Sequence, residues 1–127
     1  MPSGEAFTDD QLMNIERVVA AADAETGFGF SVYIGNAEGD IRDAAERLHA
    51  SLGDRAPSAV LVMVSPGDRL LEIVTGHESA RRLSDRACAL AALSMTTSFT
   101  GGDLAGGIVT GVRMLAEAAG RPIVPAR

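Results

Sequence analysis

Ala59-Val60-Leu61-Val62-Met63-Val64 is apolar at every position, and Ser65-Pro66-Gly67-Asp68 follows it at once. A strand with one wet face alternates polar and apolar residues, so an unbroken run of six marks a strand covered on both faces at the centre of a sheet. Pro and Gly in the middle of the next four residues predict a type II turn. The following segment, Arg69 to Thr75, should then fold back antiparallel.

Upstream of this run, Phe28, Phe30, Val32 and Ile34 alternate with Gly29, Ser31 and Tyr33, the two-residue period of a strand with one strongly apolar face. Between the two strands, Ile41, Ala44, Ala45, Leu48 and Leu52 trace one face of a helix, with Arg42, Asp43, Glu46 and Arg47 opposite. An Asp43–Arg47 pair at four-residue spacing would support that helix weakly. A helix joining two strands makes them parallel neighbours through a right-handed crossover.

Thr8-Asp9-Asp10-Gln11 reads as a capping box that starts a first helix, carried by Leu12, Ile15, Val18, Val19 and Ala22 and stopped by Gly27. Beyond the third strand, Gly76-His77-Glu78-Ser79 leads into a helix in which Ala80, Leu83, Ala87, Leu90, Ala91 and Met95 face inward to about Phe99. Arg81, Arg82 and Arg86 lie on its solvated side. Asp103 then caps a last helix along Leu104, Ile108, Val112 and Leu115, where Gly106, Gly107 and Gly111 permit close backbone packing. The order is α-β-α-β-β-α-α. It predicts one domain, a three-layer α/β/α sandwich on a small mixed sheet, with an ordered core of about residues 7–120 and a disordered tail from Arg121 to Arg127.

With 127 residues one ordinary core suffices without disulfides, and the single Cys88 cannot form one internally. The 17 acidic against 11 basic residues give a charge of −6, every basic residue being Arg, and there is one Tyr and no Trp. A polyanion would be repelled and bases have nothing to stack on, so nucleic acid is excluded as a partner. No basic leader opens the chain and no window approaches a membrane span, which gives an expectation of a cytoplasmic protein.

From about Phe7 to Ala119 the chain resembles the TPM domain family, especially its actinobacterial branch of unknown function. The resemblance is carried by Phe30-Ser31-Val32-Tyr33-Ile34-Gly35, by the run Ala59 to Pro66 with Leu71 to Gly76, and by Ser98-Phe99-Thr100-Gly101-Gly102-Asp103-Leu104 with Gly107-Ile108. It implies the same α/β/α sandwich. Some relatives are linked to divalent-cation binding, weak acid phosphatase activity or maintenance of membrane complexes. The family's acidic-Asn-Gly element falls on Asp54-Arg55-Ala56-Pro57-Ser58-Ala59, where Asp54 is the match.

Two acidic loop sets follow from the topology. Asn36, Glu38, Asp40, Asp68 and Asp103 gather where the first two strands end, and Asp54, His77 and Glu78 gather at the opposite tip. Hard cations take several oxygens from converging loops, which makes Asp54, Glu78, His77, Asp68 and Asp103 the metal candidates, with calcium or magnesium as the ion. The plainer reading makes Asp40 and Asp103 helix caps, Asp68 a turn residue, and the other carboxylates solvated.

His49 is expected at the boundary or surface of its helix. No Ser or Cys sits in a nucleophile elbow. Gly27-Phe28-Gly29 precedes a strand instead of following one, and the glycines of residues 101–107 follow a helix and offer no Lys, so neither is a nucleotide loop. The favoured reading is a non-enzymatic accessory domain that binds a protein partner or a divalent cation. The alternatives are a metal-assisted acid phosphatase, with Arg81 or Arg82 steadying the phosphate, and a structural module sealing an oligomer.

Overall fold

The computed structural model describes residues 7–122. Its elements are α1 (Asp9–Thr26), β1 (Gly29–Ile34), α2 (Ile41–Ala50), β2 (Ala59–Ser65), β3 (Leu70–Thr75), α3 (Asp85–Thr100) and α4 (Leu104–Ala119). The expectation of a disordered tail falls, for residues 123–127, outside the described residues.

All seven residues of β2 are buried, as its unbroken apolar run requires. It lies between β1, parallel, with Val32 opposite Val62, and β3, antiparallel, with Ile73 opposite Val62. Alternation along β2 divides the core. Val60, Val62 and Val64 point into the larger cluster, with Phe30 and Ile73 from the sheet, Ile15 and Val18 from α1, Met95 from α3, and Ile108, Val112 and Leu115 from α4. Leu61 and Met63 point the other way, onto Ala45, Ile41, Ala44 and Leu48 of α2. Each such side chain removed from water stabilises the fold by about 1.5–3 kcal/mol, so the sheet is held from both faces.

The caps form as expected. Thr8 Oγ1 accepts from the Gln11 amide at 3.1 Å while Gln11 Oε1 accepts from Thr8 N at 2.8 Å, and Gly27 ends α1 at φ 78°. Within α4, a Cβ at Gly107 would overlap Ser98 and Phe99, and one at Gly111 would overlap Met95, so both glycines do bring α3 and α4 close. Gly106 differs: its space is filled by the carboxylate of Asp103, the residue that caps the same helix.

Four local expectations are corrected. The reversal after β2 is a 3-10 turn, Pro66–Asp68, instead of a type II turn; Gly67 keeps a negative φ and Arg69 takes the left-handed conformation at φ 55°, so β3 begins at Leu70. The helix after β3 starts later, at Asp85 under a Ser84 cap, because Ser79 to Arg81 form a separate 3-10 turn pinned by the Ser79 hydroxyl. Leu90 is 50% exposed, since α3 lies at the side of the helical layer, mainly against α4 and β3. On α2 the ion pair is not Asp43–Arg47. Arg42 bonds Glu46 at 3.2 Å and Glu72 at 3.4 Å, and its Nη1 donates to the Ile73 carbonyl at 3.0 Å.

Candidate functional site

Where β2 begins and β3 ends, the chain is stitched around one carbonyl. The Ala59 oxygen accepts from Ser79 Oγ at 2.9 Å and from Gly76 N at 3.2 Å, and His49 Nε2 lies 3.3 Å from it. Ser79 Oγ in turn accepts from Gly76 N at 2.9 Å. Gly76 has no room for a side chain, because the Ala56 and Pro57 carbonyls occupy the place of its Cβ. His49 is therefore buried under the sheet end, not at the surface, since its helix turns it toward β2. The Glu78 amide donates to Pro57 O at 2.9 Å, which sets the loop of Asp54 beside the loop of His77 and Glu78. All three side chains are exposed.

At the opposite end, Asp68 accepts from Ser65 Oγ at 3.1 Å, Asp40 caps α2 by accepting from Asp43 N at 3.1 Å, and Asp103 caps α4 by accepting from Gly106 N at 2.9 Å. Asn36 Oδ1 lies against Gly67, so the loops after β1 and β2 do meet. Asp103 instead sits beside α1. Among the described residues, no three His, Cys, Asp or Glu side chains come together in a way that could hold a metal ion.

The concavity the sequence did not reveal lies between α1 and α4, a groove of about 680 Å³. Its floor is made of small apolar residues, Val18, Ala21 and Ala22 facing Ala105, Val109 and Ala116. Arg17 and Arg113 stand on the two walls, with Gln11, Asn14 and Asp103 at one end and Glu25 at the other. Neither guanidinium has a carboxylate partner within ion-pair distance among the described residues; Arg17 only reaches Asn14 Oδ1 at 3.5 Å. The groove is thus apolar below, with two guanidiniums on its sides and one carboxylate, Asp103 or Glu25, towards each end. Sequence periodicity marks each helix's inward stripe but not which two helices leave a gap.

Arg82 does not point to solvent. Its Nη1 donates to Thr26 O at 2.9 Å, Nε to Ala119 O at 3.3 Å and Nη2 to Gly120 O, while the guanidinium lies 4.3 Å from the Phe28 ring centre. It clamps the C-terminal ends of α1 and α4, so both helices run the same way on either side of the groove. Burial, with Asp85 adding to it, pushes the Cys88 thiol up against a smaller opposing pull from Arg42. A thiol so held is a poor nucleophile at neutral pH. Asp23, which accepts from the Phe30 amide at 2.7 Å, is pushed up by burial, the hydrogen bond opposing in part.

A family model described as a domain of unknown function, DUF5130, matches residues 1–116. The chain belongs to this family. Two uncharacterized proteins of Mycobacterium tuberculosis, one from each of two strains, are 32% identical to the DUF5130 chain over 89 residues, which is 68% of this chain and 51% of each of theirs. The chain spans about half the length of the curated relatives it matches. Among solved structures, the DUF5130 fold is similar to the BA42 protein of the psychrophilic bacterium Bizionia argentinensis, with a TM-score of 0.80 at 20% identity over 89% of this chain and 81% of that one. It is also similar to the N-terminal domain of a P. gingivalis protein, with a TM-score of 0.79 at 16% identity over 92% and 78%. At such identities the likeness establishes the mixed α/β fold. Among the described residues, no helix is long and apolar enough to cross a membrane.

Proposed function

We propose that this chain is a non-enzymatic binding domain whose working surface is the groove between α1 and α4, and that it takes a partner-protein segment carrying an apolar side chain beside a carboxylate. The observation that carries this is the pair of guanidiniums, Arg17 and Arg113, without an ion-pair partner among the described residues and flanking a floor of Val and Ala side chains. Small floor residues leave depth for an apolar group, and a guanidinium offers a planar fork to a carboxylate. Anilinonaphthalene sulfonate, an apolar body with an anionic group, probes this chemistry directly. Its fluorescence should rise saturably, with chemical-shift changes at Val18, Ala21 and Val109. Arg17→Glu with Arg113→Glu should weaken binding about tenfold or more, the equivalent of ~1.4 kcal/mol. Saturable binding that ignores the charge reversal, or shifts confined to another surface, would sink the reading.

A second reading keeps a divalent cation at the tip where the loop of Asp54 meets that of His77 and Glu78, in line with the resemblance to the TPM family; it rests on the Glu78–Pro57 hydrogen bond that joins those loops. Calcium or magnesium titration should then move the amides of residues 54, 77 and 78, and silence there at millimolar cation removes it. A metal-assisted phosphatase at that tip would have to manage without Arg82, whose donors are committed to the carbonyls of Thr26, Ala119 and Gly120.

A further inference from the structure

The hydrogen-bond register determines which backbone groups of β1 face outward. Gly35 N donates to Val64 O, so along β1 the odd-numbered residues bond β2 and the even-numbered ones, Phe30, Val32 and Ile34, turn their N–H and C=O to the open edge. The first part of that edge is closed by side chains. Thr26 Oγ1 takes the Phe28 amide at 3.0 Å and Asp23 Oδ1 takes the Phe30 amide at 2.7 Å. The second part is open: the amides and carbonyls of Val32 and Ile34 have no protein partner on this side among the described residues.

The two sheet edges are treated differently. On β3, Arg42 reaches across from α2 to the outward Ile73 carbonyl and pairs with Glu72, which places charge on that edge. Along β1 no residue from Gly29 to Ile34 is charged, α2 packs mainly on β2 and β3, and Tyr33 is left 44% exposed. An uncharged, partly open edge strand is a template for a further strand.

We infer that a second copy of this chain adds to it, β1 against β1, antiparallel about a two-fold axis at Tyr33, joining two three-stranded sheets into one of six strands. The open window is its own complement. Val32 of one copy would exchange both of its backbone hydrogen bonds with Ile34 of the other, and the reverse, which uses all four free amides and carbonyls per pair of windows. Tyr33 then falls opposite Tyr33 in the closely spaced, non-hydrogen-bonded position, where aromatic side chains on the uncovered face meet. Each copy carries a charge of −6, so the uncharged strand is where two copies come together with least repulsion, and added salt tightens the pair.

Sedimentation velocity from micromolar to millimolar protein tests this. The unaltered chain should pass from monomer to dimer, more readily at high salt. Val32→Pro removes an outward amide without touching a β1–β2 hydrogen bond and should hold the chain monomeric; Tyr33→Lys, a change to an exposed side chain, should do the same with the melting temperature essentially unchanged. In the dimer the Val32 and Ile34 amides exchange with deuterium more slowly than in either variant. A chain that stays monomeric at millimolar concentration overturns the inference, as does a dimer that the folded Tyr33→Lys variant forms equally well.

Discussion

Asp23 shows how one carboxylate can serve the fold and cost it at once. Its Oδ1 closes the Phe30 amide at the start of β1, but burial makes the ionised form unfavourable and pushes its proton affinity up. For an acid whose folded value lies above its unfolded one, the native state holds the proton longer, so stability is greatest below the unfolded value and falls as pH rises through the folded one. Asp23→Asn keeps the acceptor and discards the charge. Its stability relative to the unaltered chain should therefore be positive at neutral pH and shrink toward zero as pH falls below the ordinary carboxylate range, measured by urea denaturation along a pH series. A constant difference, or one that grows toward acid, contradicts the argument. Nothing in the sequence marks Asp23, because it is one acidic residue on a helix with many. By contrast Thr8 and Asp103 were legible, since capping is chemistry between neighbours three residues apart. The metal candidates illustrate the same boundary: sequence and topology name the loop each occupies, while only coordinates show Asp68 turned to Ser65 and Asp103 set beside α1, away from the loops after β1 and β2.

Between elements, the Arg82 clamp is the contact with the largest expected cost of removal. Carbonyls at a helix C-terminus have no partner within the helix and carry the negative end of its dipole, so a cation there is favoured twice over. One guanidinium serves the ends of α1 and α4 and lies on Phe28. Arg82→Ala should destabilise the chain by about 3 kcal/mol, given ~1.5–3 kcal/mol for a hydrogen bond to a charged group. Arg82→Lys should recover less than half of that, because an ammonium cannot present a planar fork to separated carbonyls. Equilibrium denaturation at neutral pH measures both, and a loss below about 1 kcal/mol for the alanine variant, the net worth of a single neutral hydrogen bond, would show that the clamp is ornamental to stability. The elements themselves were largely readable from β2, whose apolar run demanded two covering layers, and from the helical stripes on either side. What escaped was set by contacts far apart in the chain. The late start of α3 depends on Ser79 bonding Ala59, twenty residues upstream, and the inward turn of Arg82 depends on two helix ends that meet only after the chain has folded.

Over the whole molecule, charge is unbalanced and little of it is paired. Seventeen acidic side chains stand against eleven arginines, and among the described residues the ion pairs are those of Arg42 with Glu46 and Glu72. Attraction is local and weak at such exposed pairs, whereas the net repulsion acts between all the surface carboxylates. Screening should thus remove more repulsion than attraction. Raising potassium chloride shortens the reach of charge from about 10 Å at 0.1 M to about 3 Å at 1 M, and the melting temperature should climb by roughly 4 °C for each ~1 kcal/mol gained. The gain must vanish near the isoelectric point of about 4.8, where there is no net charge left to screen. Following the Tyr33→Lys variant at low concentration separates this effect from salt-driven pairing of β1 edges, because a monomer's melting temperature does not depend on concentration. A melting temperature that falls with salt at neutral pH would mean that attractive pairs dominate, as they would if Arg17 and Arg113 paired in solution with the groove's own carboxylates, Glu25 and Asp103.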